Sequence, residues 1–172
     1  MKRNGKTHIN QQGFTIIELV VVLILLSIFA PVVMSRFGNN DAELITQTDT
    51  LKSYLRYAQI KAMNDTVPWG INLTGNTVYT LYKKGIKATN PPYYLPGESN
   101  KNPAGDPLIH TLTNNITLKT GVGTTIAFNE WGVPVDGSGA PVISNITIEL
   151  SDGAQTRSIT VTKNTGFLFH DF

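Results

Sequence analysis

The residues best placed to do chemistry lie near the N-terminus, where one carboxylate stands inside an apolar segment. The first thirteen residues are polar and basic, and residues 14–33 are almost wholly apolar apart from Glu18. A carboxylate in hydrocarbon costs about 2.5–3.5 kcal/mol on membrane-insertion scales, so Glu18 needs a compensating partner. Gly13 and Phe14 stand at the start of the apolar run. This layout predicts a processing site ahead of a membrane helix and a charge-pairing role for Glu18.

The residues around this junction resemble a known processing signal. Gly13-Phe14-Thr15-Ile16-Ile17-Glu18-Leu19, followed by an apolar helix, is similar to the class III leader of type IV pilins and type II secretion pseudopilins. The resemblance implies that a prepilin peptidase cuts between Gly13 and Phe14 and methylates the new N-terminal Phe14. It also implies that Glu18 of one subunit pairs with the Phe14 amine of the next. In apolar surroundings such a pair is more stable than either charge alone.

Other interpretations of this segment are open. An ordinary signal peptide needs a small-residue cleavage site after its apolar region, and the best candidate, after Ala30, has Ile28 at a position that favours a small residue and Pro31 beyond the bond. A plain membrane anchor needs only about twenty apolar residues, but it leaves Glu18 unexplained. Glu18 could also be a tolerated acid near the membrane interface.

Charge places the ends of the chain on opposite sides of a membrane. Lys2, Arg3 and Lys6 give the leader a charge of +3 with no acids, and basic flanks of this kind mark the cytoplasmic side. We therefore expect a single-pass protein of the bacterial inner membrane with its C-terminal domain in the periplasm. Removing three leader cations from 14 leaves 11 against 12 acidic residues, a mature charge of −1.

After the cleaved leader of residues 1–13, the sequence predicts one N-terminal helix in two parts. Residues 14–37 form the transmembrane and assembly part, and residues 38–64 form its amphipathic continuation. Pro31 should kink or locally open the helix, because proline lacks a backbone donor and clashes with the preceding turn. Residues 38–40 could loosen it between the two halves. The amphipathic stripe, at spacings of four and three, comprises Leu44, Thr48, Leu51, Leu55, Ala58 and Ala62.

Beyond Asn64 the pattern changes to period two, with turn residues between the runs. Strands are predicted within residues 67–73, 77–82, 116–119, 125–128, 146–150, 158–162 and 167–170. These features predict an α+β fold, in which the long N-terminal helix packs on a small antiparallel β domain of one or two sheets over residues 65–172. The arrangement is pilin-like.

Two loops interrupt this pattern. Residues 83–107 hold five prolines and three glycines, and a loop of this length in a compact domain is often functional or mobile. Tyr93-Tyr94-Leu95 supplies candidates for an exposed protein contact. Asp136-Gly137-Ser138-Gly139 superficially resembles a calcium loop, but it lacks the repeated acids and the later Glu of an EF-hand. We interpret it as a turn.

The chain offers few residues for catalysis. His8 lies in the leader, and His110 and His170 lie far apart in sequence. His170 and Asp171 are strand neighbours, whose side chains point to opposite faces. The sequence has no serine elbow, zinc-ligand spacing or phosphate loop, and it has no cysteine. We therefore expect neither an enzyme nor a cofactor or metal site.

Three stretches of the globular half resemble the GspH/FimT family. They are residues 55–64 followed by Val67, residues 128–134 with their aromatic-x-x-x-Gly-x-Pro pattern, and residues 158–161 with Thr165-Gly166. The resemblance implies a minor subunit, and a fold with a long N-terminal helix packed on two small β-sheets.

Three functions are therefore open. The first is a minor pseudopilin of the type II secretion system, a structural subunit at or near the pseudopilus tip that protein export needs. The second is a FimT-like minor pilin in type IV pilus biogenesis or DNA uptake. Either would have other pilins or pseudopilins, the prepilin peptidase, an inner-membrane assembly platform and, before assembly, membrane lipid as partners. The third is a nucleic-acid-binding pilin. We expect weak or no binding to DNA, because the mature charge is −1 and the sequence has a single dense basic cluster, Lys83, Lys84 and Lys87.

Overall fold

The computed structural model describes residues 15–37, 41–89, 93–98, 106–113, 115–136 and 139–171. The chain divides into two compact units, Met1–Asn39 and Asn40–Phe172. The first unit contains helix α1 (Ile16–Phe37). The second contains helix α2 (Asp41–Met63) and all of the described strands.

Helix α1 carries the apolar run. The side chains of residues 15–29 are all exposed, and the helical backbone continues through Pro31 to Phe37. The kink at Pro31 stays a prediction, and the predicted loosening at residues 38–40 lies outside the described residues. Within the described part of the chain, no helix has an apolar stretch of membrane-spanning length.

Helix α2 buries the stripe that its sequence predicts. Each buried leucine contributes about 1.5–3 kcal/mol relative to an exposed one, so the stripe fixes which side of α2 faces the strands. The Thr48 hydroxyl within the stripe donates to the Leu44 carbonyl at 2.6 Å, which satisfies its only donor. The six buried residues are Leu44, Thr48, Leu51, Leu55, Ala58 and Ala62.

The strands form two antiparallel sheets. They are β1 (Trp69–Asn72), β2 (Val78–Lys83), β3 (Ile86–Lys87), β4 (Ile109–Thr111), β5 (Thr117–Leu118), β6 (Thr125–Phe128), β7 (Pro134–Val135), β8 (Ile146–Ser151), β9 (Thr156–Val161) and β10 (Leu168–Asp171). The first sheet has the order β3-β2-β1-β6-β7, and β4 also pairs with β2. The second has the order β10-β9-β8-β5. The predicted α+β class with antiparallel sheets is confirmed.

The prediction that an irregular loop begins at residue 83 was wrong. Strand β2 extends through Lys83, and β3 pairs with it across a tight turn. Lys84 and Gly85 form that turn with positive φ values of 53° and 73°, as two-residue hairpins prefer. The expectation of exposed aromatic residues at Tyr93-Tyr94-Leu95 is confirmed for Tyr94 alone. Tyr93 is partly buried, and Leu95 is fully buried.

One glutamine joins α2 to two turns of the β domain. Gln59 Nε2 lies 2.8 Å from the Gly132 carbonyl oxygen and 3.2 Å from that of Gly166. A Cβ atom added to Gly166 would overlap the Gly132 oxygen and Gln59, and would lie 3.2 Å from the Phe128 ring. We call this contact the Gln59 junction. It brings together the end of α2, the turn after β6 and the turn after β9.

Gly166→Ala should destabilise the fold by about 3 kcal/mol. The residue has a φ of +64°, which costs an L-residue about 1–2 kcal/mol, and overpacking adds about 1–3 kcal/mol. Gly153→Ala is the matched control, because Gly153 has a φ of +97° but nothing within 4 Å of an added Cβ. Urea unfolding of the two variants in detergent checks this. Equal losses in both would show that the close packing at Gly166 contributes nothing.

Candidate functional site

The predicted processing and assembly residues are only partly within the described chain. Gly13 and Phe14 lie outside the described residues, so the cleavage site stays a prediction. Glu18 lies in the first turn of α1, and its side chain is exposed. The Glu18 backbone N–H donates to the Thr15 hydroxyl at 3.3 Å. Thr15 thereby caps α1, because it satisfies one of the unpaired donors in the first turn.

The cap gives Glu18 a second role that the sequence analysis missed. Thr15-Ile16-Ile17-Glu18 has the Thr-x-x-Glu spacing of a capping box, a signal that is visible in the sequence. A carboxylate in the first turn also gains about 0.3–1 kcal/mol from the helix dipole. This gain is smaller than the cost of about 2.5–3.5 kcal/mol for a carboxylate in hydrocarbon. The helix dipole therefore offsets only a small part of the cost of placing the Glu18 carboxylate in hydrocarbon, and the rest requires another partner.

A second constellation lies in the globular unit, centred on His110 of β4. His110 Nδ1 is 2.7 Å from Glu98 Oε1, and His110 Nε2 is 2.9 Å from Gln47 Oε1 on α2. Glu98 Oε1 also accepts a hydrogen bond from the Tyr54 hydroxyl at 2.8 Å. The side chains of Glu98 and His110 are only 7% and 12% exposed. We call Gln47, Tyr54, Glu98 and His110 the His110 cluster.

Aromatic rings enclose the His110 cluster. The Tyr79 ring stacks on the His110 ring with centroids 4.8 Å apart, and Tyr54 meets both rings edge-on. Burial raises the pKa of Tyr54 well above its usual range, and the hydrogen bond and charge of Glu98 raise it further. Burial likewise raises the pKa of Tyr79. Both phenols therefore remain protonated, although only Tyr54 finds a hydrogen-bond acceptor among the described groups.

The His110 cluster lines an open groove of about 940 Å³. Residues of α2 form one wall, and β4 and the segment around Glu98 form the other. The hydroxyls of Thr46, Thr50 and Ser53 on the helix wall donate to carbonyls of α2 itself. Both ring nitrogens of His110 already contact Glu98 and Gln47, so neither is available to activate a hydroxyl nucleophile. The arrangement can hold a proton, but it does not form a nucleophile–base pair.

Two lysines of the predicted basic cluster form salt bridges with carboxylates. Lys83 Nζ lies 2.8 Å from Asp65, and Lys87 pairs with Asp106. The hydrogen bonds from Lys83 and from the Trp69 indole hold the pKa of Asp65 at about 2. Because this pKa is lowered, the pair stabilises the fold above the ordinary carboxyl range and ceases to do so as the pH falls through about 2. Two of the three lysines in the predicted basic cluster are thus paired with carboxylates.

The structure also describes His170 and part of the calcium-like stretch at residues 136–139. His170 Nε2 contacts Asp49 on α2 at 3.0 Å, so the partner of His170 comes from a distant element. The Asp136 carboxylate accepts a hydrogen bond from the Ala140 backbone at 3.0 Å, which fits a turn. Residues 137 and 138 of the calcium-like stretch lie outside the described residues. Among the described residues, no group of three or more His, Asp or Glu side chains could hold a metal ion.

Comparison with known proteins identifies the N-terminal segment. Residues 9–30 match the prokaryotic N-terminal methylation motif, a range that includes Gly13, Phe14 and Glu18. No curated protein and no solved structure matches the chain. The motif indicates a type IV pilin-like or pseudopilin protein. It supports prepilin peptidase cleavage, a methylated N-terminus and assembly with other pilins.

Tyr54→Phe and Tyr79→Phe should affect stability differently. Tyr54→Phe removes a donor to buried Glu98 and should cost about 1.5–3 kcal/mol, the usual contribution of a hydrogen bond to a charged group. Tyr79→Phe removes a buried hydroxyl with no described partner. Such a group costs about 1–3 kcal/mol, so its removal should leave the fold at least as stable. Urea unfolding at neutral pH measures both. A large loss in Tyr79→Phe, or none in Tyr54→Phe, would contradict the described contacts.

Proposed function

We propose that this chain is a minor pseudopilin of the type II secretion system. It is a structural subunit at or near the tip of the periplasmic pseudopilus, and protein export needs it. The observation that carries the proposal is the methylation motif at residues 9–30. A filament subunit needs a processed apolar helix to assemble and a folded domain to contact its neighbours, and it needs no catalytic residues.

The globular unit supports the minor-subunit part of this proposal. The stretches that resemble the GspH/FimT family are the end of α2, the turn after β6 and the turn after β9. These stretches meet at the Gln59 junction, where Gln59 bonds to the Gly132 and Gly166 carbonyls. Their residue types therefore share one physical cause, the close packing of two glycine turns against one helix.

The exposed apolar surfaces support a partner in assembly. In the first unit, every side chain of residues 15–29 is exposed, which fits lipid before assembly and neighbouring subunits afterwards. In the globular unit, Met63, Trp131, Ile143 and Phe167 are 55–90% exposed. The segments that carry them are connected. Gln59 near the end of α2 bonds to Gly132, beside Trp131, and to Gly166, beside Phe167, and Lys163 Nζ bonds to the Ile143 carbonyl at 3.1 Å. Exposed apolar groups on connected segments are candidates for a protein contact, and another pilin-like subunit is the proposed occupant.

The role proposed for Glu18 follows from its exposure. Its side chain is exposed, and the helix dipole offsets only part of the cost of a carboxylate in apolar surroundings. We assign the remaining compensation to the Phe14 amine of a neighbouring subunit. This pairing would also set the register of adjacent subunits along the filament.

A strain with an in-frame deletion of this gene tests the secretion assignment. Protein export and pili are measured in the same cultures. We expect exported enzymes to be lost while pili remain. Loss of pili, twitching or DNA uptake with intact export would instead identify a FimT-like minor pilin. A plasmid copy of the gene should restore export, which controls for effects on neighbouring genes.

Glu18→Ala should leave cleavage after Gly13 intact and reduce incorporation into filaments at least about tenfold, because a buried amine loses its partner. Thr15→Ala is the matched control, since it removes the cap and keeps the carboxylate. Cross-linking to neighbouring subunits in membranes measures incorporation. Normal incorporation of Glu18→Ala would refute the pairing. An equal loss of incorporation in Thr15→Ala would show that Thr15 and Glu18 act through the helix cap.

A further inference from the structure

The orientation of the Gln47 amide is fixed by a carboxylate. Gln47 Nε2 lies 2.9 Å from Glu43 Oε1 and 3.1 Å from the Thr113 hydroxyl. A carboxylate only accepts hydrogen bonds, so the amide nitrogen must face Glu43 and the amide oxygen must face His110. That oxygen lies 2.9 Å from His110 Nε2. Because an amide oxygen also only accepts, His110 Nε2 must carry a hydrogen.

The other ring nitrogen of His110 meets a second acceptor. His110 Nδ1 lies 2.7 Å from Glu98 Oε1, the oxygen that also accepts from the Tyr54 hydroxyl at 2.8 Å. Tyr54 keeps its proton because burial raises its pKa, so it donates to Glu98. An ionised Glu98 can then only accept from Nδ1. A neutral imidazole has one N–H, whereas these contacts use two.

We propose that Glu98 and His110 form a proton-binding site that fastens residues 93–98 to α2, with His110 held as an imidazolium between two acceptors. The segment lies against the helix through Tyr54, whose hydroxyl contacts Glu98 and, at 3.2 Å, the Pro96 carbonyl. The bound proton completes this set of contacts, because it turns His110 into a double donor.

The surroundings of His110 favour a cation. Helix α2 contributes Tyr54, which meets the ring edge-on, and Asp49, which lines the same groove and contacts His170 of β10. Glu43 of the same helix bonds to Gln47, the partner of His110 Nε2. Strand β2 contributes Tyr79, whose ring stacks on the imidazole, an arrangement that attracts a cation to the aromatic face. Acidic groups therefore outnumber basic ones around the site.

Loss of the proton has a defined consequence. A neutral His110 ring has one unprotonated nitrogen, which faces either the Glu98 oxygen or the Gln47 oxygen. Two buried acceptors then face each other with no hydrogen between them. An unmade hydrogen bond between buried groups is costly. The stabilisation from this site is therefore present when the ring is doubly protonated and absent when the ring is neutral. With a neutral ring we expect residues 93–98 to separate from α2.

The test is a nitrogen NMR measurement on the full chain in detergent micelles, labelled with ¹⁵N-histidine. At pH 7 we expect both His110 ring nitrogens to carry hydrogens, with the nearly equal ¹⁵N shifts of an imidazolium. His170 is the internal control, because only its Nε2 has a described partner. His8→Gln and His170→Gln variants assign the signals. One protonated and one unprotonated His110 nitrogen in the native chain at pH 7 would overturn the proposal.

Two variants should each leave a single proton on the His110 ring, but on different nitrogens. Glu98→Gln frees Nδ1 from donating and should give a neutral ring with the hydrogen on Nε2. Gln47→Leu frees Nε2 and should give a neutral ring with the hydrogen on Nδ1. Ser53→Ala, on the same groove wall, should leave the imidazolium unchanged. An imidazolium at pH 7 in both cluster variants would show that these acceptors do not hold the proton.

Amide hydrogen exchange of the native chain tests the fastening itself. The Leu95 N–H donates to the Pro107 carbonyl at 2.8 Å, and the Glu98 N–H donates to the Leu95 carbonyl at 3.1 Å. After correction for intrinsic exchange, protection of both amides should fall at least tenfold over the pH range in which His110 loses its proton. Unchanged protection through that range would show that the proton does not fasten the segment.

Discussion

The globular unit depends on the burial of one face of α2. The described strands of the two sheets pair only within their own sheet. Helix α2 contacts β1 and β6 of the first sheet and β8 and β9 of the second. Its buried stripe, with Leu51 and Leu55 at the centre, therefore places both sheets in one core. Gln59 of the Gln59 junction, and Gln47 and Tyr54 of the His110 cluster, all lie on α2. Both sites therefore take their geometry from the position of this helix.

The sequence predicted the elements whose pattern is local. The stripe of α2 has a helical period, and the strands alternate with a period of two, so each segment carries its own signal. The methylation motif at residues 9–30 was recognisable for a similar reason, because Gly13, Phe14 and Glu18 lie within six residues of one another. The short strands β3, β4 and β7 were missed, because two or three residues do not show a period.

The His110 cluster could not be predicted from local patterns. Gln47, Glu98 and His110 come from a helix, an irregular segment and a short strand, and only packing of β4 against β2 and α2 brings them together. Histidine in a sequence does not reveal which acceptors its nitrogens will meet. The cap at Thr15 differs, since its Thr-x-x-Glu spacing was visible but was interpreted only through the charge of Glu18. The contact between Gly132 and Gly166 likewise requires the fold, although each glycine could be assigned to a turn.

The most direct test of the account is the mass of the mature chain. The full chain is produced together with a prepilin peptidase, and the purified protein is analysed by intact-mass and N-terminal fragment measurements. The account predicts a chain that begins at Phe14 with a methylated amine, while a Gly13→Leu variant remains uncut. A native chain that begins at Met1, or one cut after Ala30, would contradict the assignment of this protein to the pilin-like filament subunits.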